Sequence, residues 1–158
     1  MASAKSLQIG SVAPGFSLRK LGGGEQRLDE YLEQGAVLLA FFKIACPTCQ
    51  LALPYLERIK SGNLQLVAVS QDDAESTAEF HGEFHIAMET LLDSEDDGYA
   101  VSNAYGITHV PTIFVVEQDG TIGEVIQGFV KSEIAAIGAR CGIEPFQPGD
   151  YVPEWKAG

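Results

Sequence analysis

Seven consecutive apolar residues, Ala36-Val-Leu-Leu-Ala-Phe-Phe42, lie between Gly35 and Lys43. A run this short and unbroken fits a central strand covered on both faces, because a half-exposed strand would alternate and a membrane helix needs roughly 20 apolar residues. Four residues past the run comes Cys46-Pro-Thr-Cys49, with Pro47 where a helix starts. The spacing of Leu51, Leu53, Leu56 and Ile59 predicts a helix from Pro47 to about Ser61, closing at Gly62. Leu64-Gln-Leu-Val-Ala-Val-Ser70 is a second strongly buried strand.

Weaker signals fill in the remainder. Residues 1–10 read as a loose lead-in, and Phe16–Arg19 as a short strand. Gly22-Gly-Gly24 reads as the turn of a hairpin returning through Gln26 to Leu28; it lacks the Gly-Lys-Ser/Thr of a phosphate loop. Asp29–Gln34 predicts a short helix, Asp72–Phe84 a helix with an acidic side, Thr90–Leu92 an extended piece, and Asp96–Tyr105 another helix. Thr112–Val116 and Thr121–Gln127 are strands joined by Gln118-Asp-Gly120, a hairpin signal. Lys131–Cys141 is a last helix closed by Gly142, followed by a tail with Pro145, Pro148 and Pro153. The expected architecture is an α/β domain over residues 1–158, with a core at about 10–142 and an irregular tail at 143–158. Its mixed sheet carries helices on both faces and an N-terminal β-hairpin extension.

Charge narrows the function. Ten Lys and Arg against 22 Asp and Glu give a net charge of −12, which argues against nucleic acid as a partner. No Lys or Arg lies between Lys60 and Lys131, where 13 acidic residues fall, a pattern expected of a solvated acidic face. The first ten residues contain no apolar signal-peptide core, so the expectation is a cytoplasmic protein, or a periplasmic one if a leader has been removed.

The chemistry concentrates at Cys46 and Cys49. A cysteine at a helix N-terminus meets unpaired N–H groups and the positive end of the dipole, which favour the thiolate, the reactive form. The second cysteine is one turn deeper and can close a small disulfide ring. Cys46 would then attack a substrate disulfide and Cys49 would resolve the mixed disulfide. A zinc knuckle uses the same spacing but needs a second ligand pair, and no second C-x-x-C exists. His81 and His85 are better read as an exposed helix face than as metal ligands. Asp93-Ser-Glu-Asp-Asp-Gly98 has the acids of a calcium loop, but Ala104 replaces its closing Glu, so a helix-capping loop is expected. His109 reads as the end of a loop, with a place beside the thiolate as the alternative, and Cys141 as a buried core thiol. Nothing local assigns Trp155.

These features resemble the thioredoxin superfamily, and more closely its TlpA- and ResA-like branch within the AhpC/TSA redoxin group. The likeness runs over about residues 10–140. It comprises Val12-Ala-Pro-Gly-Phe-Ser-Leu18, the strand into Cys46-Pro-Thr-Cys49, Pro54, Val67-Ala-Val69, Leu92-Asp93, Tyr105-Gly-Ile107, Val110-Pro-Thr112 and Asp119-Gly120. The resemblance implies a thioredoxin-like fold and a thiol-disulfide oxidoreductase. It also implies a cis peptide bond at Val110-Pro111 beside the cysteines. A substrate chain would pair with Val110 and Pro111, with Pro47 and Thr48 alongside. No cofactor or metal is implied. The partners are protein or small-molecule disulfides and a separate reductase or oxidase.

The departures are specific. The buried acid that thioredoxins carry six residues before the first cysteine is Ala40 here, the ResA-type Glu three after the second is Ala52, and the Trp before the first cysteine is Ala45. Lys43, Glu57 or a water could take over the proton traffic. A peroxiredoxin-like peroxidase is the alternative, since Cys46-Pro-Thr resembles its active segment. Against it, the hydroxyl residue expected three before the cysteine is Lys43, and the expected proline is Leu39. A metal- or client-binding domain without turnover is the third reading.

Overall fold

The computed structural model describes residues 7–60 and 62–158. Within the expected 1–10 lead-in, residues 1–6 therefore lie outside the described residues, as does Ser61, the expected helix end.

The apolar run becomes β3 (Val37–Phe42), all six residues buried. Strand side chains alternate between faces, so β3 feeds two cores. Leu38, Ala40 and Phe42 join one, with Cys49, Leu53 and Leu56 of α2 (Pro47–Glu57), Phe80 of α3 (Ala74–Phe84), and Ile134 and Ile137 of α5 (Lys131–Cys141). Val37, Leu39 and Phe41 join the other, with Leu28 and Tyr31 of α1 (Leu28–Gln34), Val101 of α4 (Ala100–Ala104), and Tyr105 just beyond it. Helices thus cover both faces of the sheet, as the unbroken apolar run requires.

The other strands are β1 (Ser17–Lys20), β2 (Glu25–Arg27), β4 (Gln65–Ser70), β5 (Glu89–Leu92), β6 (Thr112–Val116) and β7 (Ile122–Gln127). The sheet order is β2-β1-β5-β4-β3-β6-β7. Strands β3, β4 and β5 are parallel, β6 runs antiparallel between β3 and β7, β7 returns in the direction of β3, and β1–β2 is the expected N-terminal hairpin, added at the β5 edge. A second, two-stranded sheet pairs β8 (Phe129–Val130) with β9 (Trp155–Lys156), so the tail expected to be irregular over 143–158 contains one short strand, held by its pairing with a segment distant in sequence.

Three local expectations change. Helix α2 stops at Glu57, because the chain tightens into i→i+3 bonds from Ile59 to Leu56 and from Lys60 to Glu57; Ile59 is nevertheless fully buried. The helix expected over Asp96–Tyr105 is divided by two left-handed residues, Gly98 (φ 64°) and Tyr99 (φ 50°), into a 3₁₀ turn at Glu95–Asp97 and the five-residue α4. His81 is not on an exposed face: it is half-buried, stacked against Phe42 at a 6.2 Å centroid distance, with Nε2 2.7 Å from the Thr90 hydroxyl. Burial holds its imidazole below the usual range, against the pull of Glu57. Cys141 is the core thiol expected.

Candidate active site

Strands β3 and β6 run antiparallel with Phe41 opposite Thr112. This register brings the C-terminal end of β3, which leads to Cys46, against the N-terminal end of β6, which Pro111 precedes. Two segments 64 residues apart in sequence thus meet at one sheet end. The Val110-Pro111 bond is cis, as the resemblance implied. The Val110 carbonyl accepts from Cys46 Sγ at 3.4 Å. The loop is braced by the Thr112 hydroxyl, donating to the His109 carbonyl at 2.7 Å, and by Gly128 N–H, donating to the Pro111 carbonyl at 2.8 Å.

Cys46 is the N-cap of α2, in extended conformation, and its sulfur accepts the Cys49 N–H at 3.2 Å. A free helix N–H therefore points at the candidate nucleophile, the geometry that stabilises an anion. Cys46 is partly exposed, whereas Cys49 is wholly buried; both are free thiols. Pro47 is exposed, and Thr48 is only 3% exposed.

Burial pushes the Cys49 thiol up, a hydrogen bond with Cys46 and the charges of Cys46 and Asp72 add to this, and the Lys43 backbone opposes it. Above the unfolded thiol's pKa of about 8.5, the unfolded chain releases a proton that folded Cys49 retains. Stability of the reduced protein therefore falls as pH rises, by at most about 1.4 kcal/mol per pH unit for this one group. The expected result is a urea midpoint that drops between about pH 8 and 9.5 in the reduced wild type and drops less in Cys49→Ala.

Asp72 and Gln50 carried no sequence signal. The Asp72 carboxylate accepts Ile44 N–H at 2.8 Å, and Gln50 Nε2 donates to the Ile44 carbonyl at 2.9 Å. Both backbone groups of Ile44 are clamped, which fixes the turn that delivers Cys46. Of the substitutes proposed for the missing acid, Glu57 is engaged elsewhere: one carboxylate oxygen accepts Ala87 and Met88 N–H and the other pairs with Lys60. Asp72 is the carboxylate whose charge reaches Cys49. Asp72→Asn retains an acceptor for Ile44 and removes that charge, so thiol titration should find Cys49 more acidic; Asp72→Ala also loses the clamp and about 1–2 kcal/mol of stability.

His109 is exposed, its Nδ1 3.1 Å from the Thr108 hydroxyl, so it ends a loop. Among the described residues no group of three or more His, Cys, Asp or Glu side chains could hold a metal ion. Among them, too, no helix is long and apolar enough to cross a membrane.

The fold and its cysteine pair define a thioredoxin-like thiol-disulfide oxidoreductase. Comparison with known proteins agrees. The chain is 29% identical over 133 residues to a thiol-disulfide oxidoreductase ResA of Geobacillus kaustophilus, covering 81% of this chain and 74% of that protein. It is 30% identical over 132 residues to the ResA of Halalkalibacterium halodurans, covering 80% and 73%. The crystal structure of the thioredoxin domain of a Bacteroides vulgatus thiol-disulfide oxidoreductase superposes with a TM-score of 0.75 at 24% identity, over 86% of this chain and 99% of that one. Residues 9–125 match the AhpC/TSA family, and the chain belongs to it.

Proposed function

We propose that residues 1–158 form one redox domain that exchanges its Cys46–Cys49 dithiol with protein or small-molecule disulfides. The observation that carries this is the Cys46 sulfur, partly exposed at the start of α2, bonded by Cys49 N–H and set against the Val110 carbonyl. In the first step the Cys46 thiolate attacks one substrate sulfur, forms a mixed disulfide and expels the other sulfur as a thiolate. Cys49 then gives up its proton to the departing thiolate, attacks Cys46 Sγ and releases the second substrate thiol. Two electrons pass to the substrate, and the enzyme is left as the Cys46–Cys49 disulfide. A separate reductase restores the dithiol, or an oxidase the disulfide if the flow is reversed. Burial of Cys49 supports the order of attack: the exposed sulfur meets substrate and the buried one resolves it.

The direction follows from the potential of the pair, measured by thiol counting across dithiothreitol buffers. A value near roughly −270 mV makes it a reductant, and one near about −120 to −180 mV an oxidant or isomerase. Absence of a reversible two-thiol transition would overturn the reading. Cys46-dependent consumption of peroxide without disulfide exchange would replace it with a peroxidase.

A further inference from the structure

The dithiol chemistry makes no use of residues 154–158, yet they close over the site. Strand β9 runs antiparallel to β8, with Lys156 opposite Phe129 and Trp155 opposite Val130. Lys131 N–H donates to the Glu154 carbonyl at 3.0 Å, and Lys131 Nζ lies 3.7 Å from Glu154 Oε1. Past β9 the chain crosses the substrate platform. The Thr48 hydroxyl donates to the Ala157 carbonyl at 2.6 Å. Gly158 sits so close to the cis-proline loop that a Cβ on it would lie 2.2 Å from the Val110 oxygen and 3.4 Å from Pro111 N. A Cβ on Gly128 would lie 2.5 Å from the Lys156 oxygen, and the left-handed conformation there (φ 76°) independently favours glycine. Of the four expected substrate-binding residues, Thr48 is thus hydrogen-bonded by this chain's own segment, and Val110 and Pro111 are closely approached by it.

The manner of docking is that of an added strand: backbone pairing, with the side chains left in water. Trp155 is 63% exposed, and Lys156, Ala157 and Gly158 are exposed as well. Little apolar area holds the segment down, so it is displaceable. Meanwhile Cys46 keeps partial exposure, with Ala45 and Pro47 beside it exposed. The segment therefore lies where an extended chain would pair with Val110, while Cys46 itself stays partly open to solvent.

We propose that segment 155–158 determines specificity. It competes with extended polypeptides for the Val110-Pro111 groove and biases the enzyme toward compact, low-molecular-weight disulfides. This rests on the thiol-disulfide exchange proposed above. A polypeptide disulfide must first displace the segment, which weakens its apparent affinity by the fraction of time the groove is open. A small disulfide escapes that cost.

The test compares the full chain with one ending at Pro153, using insulin and bis(2-hydroxyethyl) disulfide as substrates. For the shortened chain kcat/KM on insulin is expected to rise about tenfold, the factor for a groove open one-tenth of the time, while the small disulfide changes by less than about twofold. Full-length Gly158→Val, whose side chain would strike the Val110 carbonyl, should shift the ratio the same way and serves if the shortened chain folds poorly. An unchanged ratio of the two substrates in both variants overturns the proposal. Alkylation of Cys46 separates this from failure of the exchange reading, because it needs no turnover. Removing the segment should speed a bulky maleimide-labelled peptide and leave iodoacetamide unaffected; equal rates for the bulky reagent with and without the segment reject the proposal even if no variant reduces a disulfide.

Discussion

Cys46→Ser is expected to abolish disulfide exchange, and Cys49→Ser to halt it after one attack with substrate still attached. Both expectations follow from the unequal placement of the two sulfurs. Cys46 is the partly exposed one, and the N–H of Cys49 bonds its sulfur from the first turn of α2. A serine oxygen in its place has neither the acidity nor the affinity for sulfur that exchange requires, so turnover should fall by roughly three or more orders of magnitude, as for loss of other covalent nucleophiles. Cys49 is fully buried and its thiol is pushed up, so it meets the intermediate but not the incoming substrate. Its serine variant should therefore attack once and accumulate the mixed disulfide. With a chromogenic aromatic disulfide, mass spectrometry should find one adduct per chain, on Cys46. Full turnover by Cys46→Ser, or an adduct on Cys141, would reassign the nucleophile. Cys141 is a useful internal control, because it is buried in the core and packed against Gly62.

The parts of this site that sequence made legible are those with a local physical cause. The unbroken apolar run marked β3, and the nearly unbroken one over Leu64–Ser70 marked β4, because a strand covered on both faces needs such a run. Thr112–Val116 and Lys131–Cys141 coincide with β6 and α5, bounded respectively by Pro111 and by Gly142, which takes the left-handed conformation after the helix. What stayed hidden depends on chain segments that meet only in the folded molecule. Strands β8 and β9 are two residues each, too short for any periodicity, and exist because 129–130 and 155–156 come together. The roles of Asp72 and Gln50 follow from the position of one backbone unit, Ile44, which no side-chain pattern announces. His81 sits on a helix of polar aspect, but the ring of Phe42 stacks on it, and that approach is set by how α3 packs on β3. Resemblance supplied the cis bond at Val110-Pro111, which a Val-Pro dipeptide alone does not specify.

The acidic loop after β5 gives the largest expected stability effect outside the hydrophobic core. Asp93 is 0% exposed. Its carboxylate accepts Val101 N–H at 3.3 Å, Ser102 N–H at 2.6 Å and the Ser102 hydroxyl at 2.7 Å, and Gln71 Nε2 donates to that same hydroxyl at 2.9 Å. These bonds fasten the start of α4 to the ends of β4 and β5. The first N–H groups of a helix have no partner within it, and here the partner is a side chain from another element. Asp93→Ala leaves two buried backbone donors and a hydroxyl without that partner, at a cost of about 3 kcal/mol. Asp93→Asn keeps one acceptor but turns an NH₂ group toward donors, so it should recover only part of the loss. In a chain of 158 residues the alanine change should lower Tm by about 6–12 °C, read by calorimetry on the reduced protein. The same region touches the active-site turn, because Gln71 N–H donates to the Phe42 carbonyl at 3.0 Å and Asp72 holds Ile44. Those bonds are made by backbone or by Asp72 and survive loss of the Asp93 carboxylate. Below its own transition, Asp93→Ala should therefore retain the Cys46 alkylation rate of the wild type. A Tm change below about 2 °C would mean that water or a neighbouring acceptor replaces the carboxylate. A slowed Cys46 at normal Tm would instead place Asp93 in the positioning of the thiol.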